Sequence, residues 1–142
     1  MKLLPVALAL FYRKIEGNIL EVWTQVREDD GPYHGLLEFP GGKIEPNEEP
    51  LLAALREVEE EVGIIIHPQD GRFMGTYTNS LPGRLILLNV FLFPDQEALK
   101  GKGQWLRIDF NNLSAPYSGQ IPGPNHQMID DLYRSLYSEL YE

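Results

Sequence analysis

Residues 50–63 place the tightest constraint on this chain. Pro50 suits the first turn of a helix and Gly63 the position just past its end, which predicts a helix from about Pro50 to Val62. At roughly 100° per residue, Glu57, Glu60 and Glu61 share one arc about 100° wide, and Leu51, Leu55, Val58 and Val62 form an apolar stripe facing a core. Glu59 points away from the other carboxylates, and Arg56 falls beside Glu60. Three like charges this close repel by about 1 kcal/mol or more per pair at surface-like dielectric. A purely structural helix relieves such repulsion with interleaved lysines, yet only Arg56 is near. A solvated acidic face is one reading, and taken alone the carboxylates favour it. A hard divalent cation is the other, because Mg2+ and Mn2+ prefer carboxylate oxygens and keep positions open for phosphate oxygens.

The preceding loop changes that balance. Gly41 and Gly42 permit close backbone approach or positive φ. Glu48 follows Gly42 by six positions, Arg56 follows Glu48 by eight, and Gly63 follows Glu61 by two. Gly42, Glu48 and the run Arg56-Glu57-Val58-Glu59-Glu60-Glu61-Val62-Gly63-Ile64 resemble the Nudix box at each of its defining positions. The resemblance implies an α/β fold, an α/β/α sandwich with a mixed sheet between helices. It implies substrates in which a nucleoside diphosphate is linked to another moiety, and a divalent cofactor, Mg2+ with Mn2+ as the alternative. By position, Glu57, Glu60, Glu61 and the carbonyl of Gly41 resemble the family's metal ligands. Glu57 is also the candidate to position or deprotonate the attacking water. Arg56 would orient the carboxylates through charge-assisted hydrogen bonds, and Glu48 would brace the loop or Arg56. The implied chemistry is metal-assisted hydrolysis.

Outside the box the resemblance narrows to the MutT-like subgroup, which hydrolyses nucleoside triphosphates to monophosphates and pyrophosphate and prefers oxidised guanine. Leu37-Glu38-Phe39-Pro40-Gly41-Gly42-Lys43-Ile44-Glu45 is similar to that subgroup's entry to the box. Leu81-Pro82-Gly83-Arg84 is similar in place to its Phe-Pro-Asp-Arg, and Ile121-Pro122-Gly123-Pro124-Asn125 to its Pro-Pro-Ala-Asn. Asn125 is therefore the base-reading candidate, with both donor and acceptor on one amide; a helix N-cap is its competing role. Arg27, Arg84, Glu38 and Lys43 complete the expected substrate-binding set, with a solvated loop charge the alternative for Arg27 and Arg84. Tyr77 and Leu81 are candidates to pack on a base, though a strand aromatic is more often core.

Two departures stand out. Positions 81 and 83 differ from the subgroup, and the loop 94–103 is shorter where an acidic residue can reach the metals, leaving Glu97 as a candidate substitute. A nucleotide sugar, a dinucleoside polyphosphate or an RNA 5′ pyrophosphate is the alternative substrate. A non-catalytic nucleotide-binding regulator is the alternative class, and such proteins typically lose box carboxylates that this chain keeps.

The rest of the chain fits one domain spanning 1–142. Strands are expected at Leu3–Tyr12, Ile19–Val26, Leu36–Phe39, Phe73–Asn79, Arg84–Phe93 and Gln104–Asp109, with a closing amphipathic helix over Asn125–Leu140. The order strands, helix, strands, helix suggests a mixed sheet between helices. A net charge of −9 argues against a stable nucleic-acid complex or an anionic membrane as partner, while leaving a metal-bridged nucleotide open. The absence of cysteine excludes disulfides, thiolate metal sites and a cysteine nucleophile, and fits a cytoplasmic setting. No apolar run approaches the ~20 residues that span a bilayer.

Overall fold

The computed structural model describes residues 1–28, 35–110 and 126–137. Strand β1 (Lys2–Glu16) turns at Gly17, whose φ is 55°, into β2 (Ile19–Val26). Next come β3 (Leu37–Glu38), β4 (Gly41–Lys43) and helix α1 (Pro50–Val62). The hairpin β5 (Arg72–Leu81) and β6 (Arg84–Pro94) follows, then β7 (Gln104–Asp109) and helix α2 (His126–Tyr137).

The sheet path is β3-β2-β1-β6-β5, with β4 also on β1 and β7 also on β2. β1 and β6 run parallel from Lys2↔Arg84 to Tyr12↔Pro94, and the other pairings are antiparallel. The mixed sheet follows from that single parallel crossover through α1.

Alternation along the strands builds two cores, because successive side chains leave a strand on opposite faces. Ala7, Ala9 and Phe11 of β1, with Phe91 and Phe93 of β6, bury against Ala53, Ala54 and Val58 of α1. Leu10 of β1, with Val90 and Leu92 of β6, buries against Met128, Ile129, Leu132 and Leu136 of α2. This is the sandwich expected from the sequence. Of the predicted α2 face, Leu140 lies outside the described residues. Leu132 is fully buried, so Leu132→Ala should destabilise the fold by about 2–5 kcal/mol, the range for emptying a leucine site in a packed core. The urea unfolding midpoint measures it.

Three elements differ from expectation. β1 runs on to Glu16, because Lys14 and Glu16 pair with Leu20 and Ile19, and backbone pairing does not require the apolar alternation these residues lack. Gly41–Lys43 is a strand on Val6–Leu8 rather than a loop. Glycine has poor strand propensity, but a Cβ at Gly41 would lie 2.6 Å from Leu8 Cδ2 and 2.9 Å from Leu8 Cα. The buried strip of α1 is Ala53, Ala54 and Val58, with Leu51, Leu55 and Val62 only partly buried. The helix is thus rolled further toward its acidic arc than the apolar stripe suggests. Small alanines let that side settle close to the sheet.

Candidate active site

Helix α1 packs on β1 and β4. Pro50 opens it, and Gly63 closes it in the left-handed region at φ 79°, with its N–H donating to the Glu59 carbonyl. The Glu57 part of the acidic arc therefore lies over the glycine strand, with Glu60 and Glu61 more exposed beside it. A Cβ on Gly42 would sit 2.6 Å from both carboxylate oxygens of Glu57. Glycine at this position is what lets that carboxylate rest against backbone.

Arg56 is the hub of the arrangement. Its Nε donates to Glu48 Oε2 at 2.8 Å and its Nη2 to Glu48 Oε1 at 3.0 Å, a bidentate pair. Nη2 also donates to the Lys43 carbonyl at 2.9 Å, which locks the helix to the end of β4. Nη1 donates to Glu57 Oε1 at 2.9 Å and reaches Glu60 Oε2 at 3.3 Å. Glu48 accepts the Glu45 N–H as well, closing a turn in which Asn47 takes a φ of 66°. The Arg56 hydrogen bonds, then the Glu45 N–H, hold the Glu48 carboxyl below its ordinary range. Glu48 and then Glu57 push the Arg56 guanidinium above its own, so both partners stay charged. The side chains of Glu48 and Glu57 are only 17% and 16% exposed, against 59% for Glu60 at the rim.

Glu61 faces the other way. Its stem is exposed, but its carboxyl turns in to accept Gln25 Nε2 at 2.8 Å and the Gly41 N–H. Burial of that tip pushes its pKa up to about 7; the negative charges of Glu57 and Glu38 add to the rise, and the two hydrogen bonds oppose it.

Among the described residues no three Glu, Asp or His side chains already converge as a ligand set. Glu57 and Glu60 turn to Arg56, and Glu61 to Gln25. The donor chemistry nevertheless fits a hard divalent cation. Oxygen donors cluster around Gly41–Gly42, and burial, with a smaller push from the charges of Glu57 and Glu38, already disfavours the ionisation of Glu61.

A pH dependence follows. Were Glu61 to ligate a divalent cation, a proton would compete for it below pH 7, and affinity for a probe such as Mn2+ should weaken by up to about tenfold per pH unit below 7. Glu61→Gln should flatten that dependence in titrations between pH 6 and 8. Without metal the sign for stability reverses. The raised folded pKa means ionisation opposes folding, so this group's contribution to the melting temperature falls as pH rises from 4.5 to about 7.

A family model described as the NUDIX domain matches residues 3–109. The chain belongs to the Nudix family. The 8-oxo-dGTP diphosphatase of Escherichia coli (strain K12) is 35% identical over 139 residues, covering 94% of this chain and 99% of that one. The CTP pyrophosphohydrolase of the same strain is 35% identical over 95 residues, 67% of this chain and 65% of its own length. The 8-oxo-dGTP diphosphatase of Proteus vulgaris is 45% identical over 58 residues, and that match spans half of its length. Among solved structures, the E. coli ORF135 protein superposes with a TM-score of 0.70 at 22% identity, covering 97% of this chain and 94% of that one, which supports the fold. Nudix hydrolases in general depend on a divalent metal.

Beside the Nudix helix opens a cleft of about 680 Å³. Gln25 from β2, Glu38 from β3, Glu61 from α1, and Lys102, Gly103 and Gln104 entering β7 line it. Of the substrate candidates, Glu38 is on the wall. Arg27 stands next to it, its Nη1 3.5 Å from Glu38 Oε2. Lys43 ends β4 with an exposed side chain, and its carbonyl accepts Arg56.

Arg84 starts β6 in register with Lys2, while Gly42 and Gly41 pair with Ala7 and Leu8, so Arg84 lies roughly 17–20 Å along the strand from the glycines. Asn125 lies outside the described residues. Tyr77 packs toward α2 and donates its hydroxyl to Asp131, the core role rather than a base platform. Glu97 sits in a 3-10 turn, Glu97–Leu99, and is not on the cleft wall. Gln25, Lys102 and Gln104 were not anticipated as site residues. Their one sequence signal is position, just beyond the second strand's apolar run and at the entry to the last strand.

No described helix is long and apolar enough to cross a membrane.

Proposed function

We propose that this protein hydrolyses a nucleoside triphosphate to the monophosphate and pyrophosphate, with Mg2+ as cofactor and Mn2+ as a substitute. The observation that carries this reading is the match to an 8-oxo-dGTP diphosphatase along nearly the full length of both chains. Glu57, Glu60, Glu61 and the Gly41 carbonyl would hold the metal, which when bound would supply charge to polarise the phosphates and to acidify water.

The rest of the work falls to the chain's own groups. Arg56, fixed by Glu48 and the Lys43 carbonyl, holds Glu57 and Glu60 in place and limits their mutual repulsion. Its bond to Glu57 Oε1 leaves Oε2 to meet the attacking water and take its proton. Gly42 keeps that carboxylate against the β4 backbone. Glu38 and Arg27 border the nucleotide, and Asn125 reads the base edge. Residues 1–142 act as one unit in this reading.

A second reading changes the base, not the reaction. The CTP pyrophosphohydrolase relative, together with the departures at Leu81 and Gly83, favours a pyrimidine triphosphate.

A panel of 8-oxo-dGTP, dGTP, CTP, a nucleotide sugar and a dinucleoside polyphosphate, each with Mg2+, separates these cases. Pyrophosphate released from a triphosphate is expected, and the preferred base chooses between the readings. Turnover of the sugar or dinucleotide alone, with every triphosphate intact, would sink both.

A further inference from the structure

The charged residues on the cleft wall are acidic but for one. Glu28, Glu38 and Glu61 contribute carboxylates, and Lys102 is the one cation lining it among the described residues. Its place is built rather than incidental. The turn carrying it bends at Gly101, φ 78°. The turn then lies down on β2 at Gly103, where a Cβ would stand 2.5 Å from the Trp23 ring and 2.6 Å from the Thr24 carbonyl. Thr24 Oγ1 donates to the Gln104 carbonyl at 2.9 Å, and the Lys102 N–H donates to the Leu99 carbonyl. The backbone on both sides of Lys102 is therefore pinned.

The ammonium rests on the exposed end of α1, Nζ 3.0 Å from the Val62 carbonyl, one residue from Glu61. A cation is favoured at a helix C-terminus. That parking bond is neutral-acceptor and solvent-exposed, so a phosphate oxygen arriving in the cleft competes with it well.

We propose that Lys102 is a substrate-binding residue that contacts the polyphosphate from the wall at the entry to β7. Building on the triphosphate reading above, it gives this acidic cleft the positive charge an anionic substrate needs on the side away from Arg56. As a point charge on a flexible stem it follows phosphate rather than reading a base.

The test compares wild type, Lys102→Met and Lys102→Arg in Mg2+ buffer, with inorganic pyrophosphate as a binding probe in calorimetry and KM and kcat for four triphosphates differing in base. Losing one charge-assisted bond to phosphate should weaken pyrophosphate binding and raise KM by about tenfold or more in the Met variant. The same factor should hold for every base, with kcat within about twofold and the melting temperature nearly unchanged. The Arg variant should recover most of the loss. Unchanged pyrophosphate affinity with a lowered melting temperature would overturn the proposal, leaving Lys102 a helix clamp. A KM effect confined to one base would overturn it as well. Because the pyrophosphate arm needs no turnover, a wild-type protein inactive on triphosphates would count against the proposed reaction separately.

Discussion

Glu57→Gln should lower kcat/KM on the preferred triphosphate by roughly 10³-fold or more, about 4 kcal/mol of transition-state stabilisation. The substitution keeps the side chain's size and an oxygen facing Arg56, whose Nη1 sits 2.9 Å from Glu57 Oε1. What it removes is the negative charge that would hold a divalent cation and the basicity that would take a proton from water. The fold should survive, since Arg56 keeps its bidentate bond to Glu48 and its bond to the Lys43 carbonyl. Steady-state kinetics beside a thermal melt separates the two effects. Near-normal turnover in a well-folded variant would remove Glu57 from the chemistry.

The second large effect is expected at Gly42→Ala. The added methyl would stand 2.6 Å from both Glu57 oxygens, and β4 cannot retreat freely because Gly42 is paired with Ala7. Either the carboxylate swings off the strand or the strand shifts. Activity should fall by about 10²-fold or more, since small misplacement of a catalytic group is this expensive. Stability should drop by only about 1–3 kcal/mol, the usual range for overpacking. Activity and urea midpoint measured on one preparation give both numbers. Alanine tolerated with full activity would mean that Glu57 does its work away from the position described here.

Much of this was readable from residue order because it is local. Pro50 and Gly63 bound α1 through φ preferences that need no tertiary context, and the four-residue spacing of Arg56 and Glu60 follows from helix pitch. Glu48 was expected to brace the loop or Arg56, and its carboxylate makes a bidentate bond to Arg56 while also accepting the Glu45 N–H. Gly41–Lys43 escaped because its strand state comes from pairing with β1, against glycine's own preference. The roll of α1 escaped because Ala53 and Ala54 weigh little in an apolar stripe, yet their small size decides how closely the helix approaches. The cleft was the least legible part. Gln25, Glu38, Glu61 and Lys102 come from four separate stretches, and the β2–β3 and β2–β7 pairings together with the packing of α1 on the sheet bring them onto one wall.

In the proposed reaction the Gly42–Ile64 segment carries out metal-dependent cleavage of a nucleoside triphosphate between its α and β phosphates. A ³¹P spectrum of the wild-type protein with dGTP and Mg2+, repeated with excess chelator, tests it most directly. Nucleoside monophosphate and pyrophosphate signals should grow, and their growth should stop when the metal is removed. Orthophosphate as the first product, or hydrolysis that continues in chelator, would contradict it.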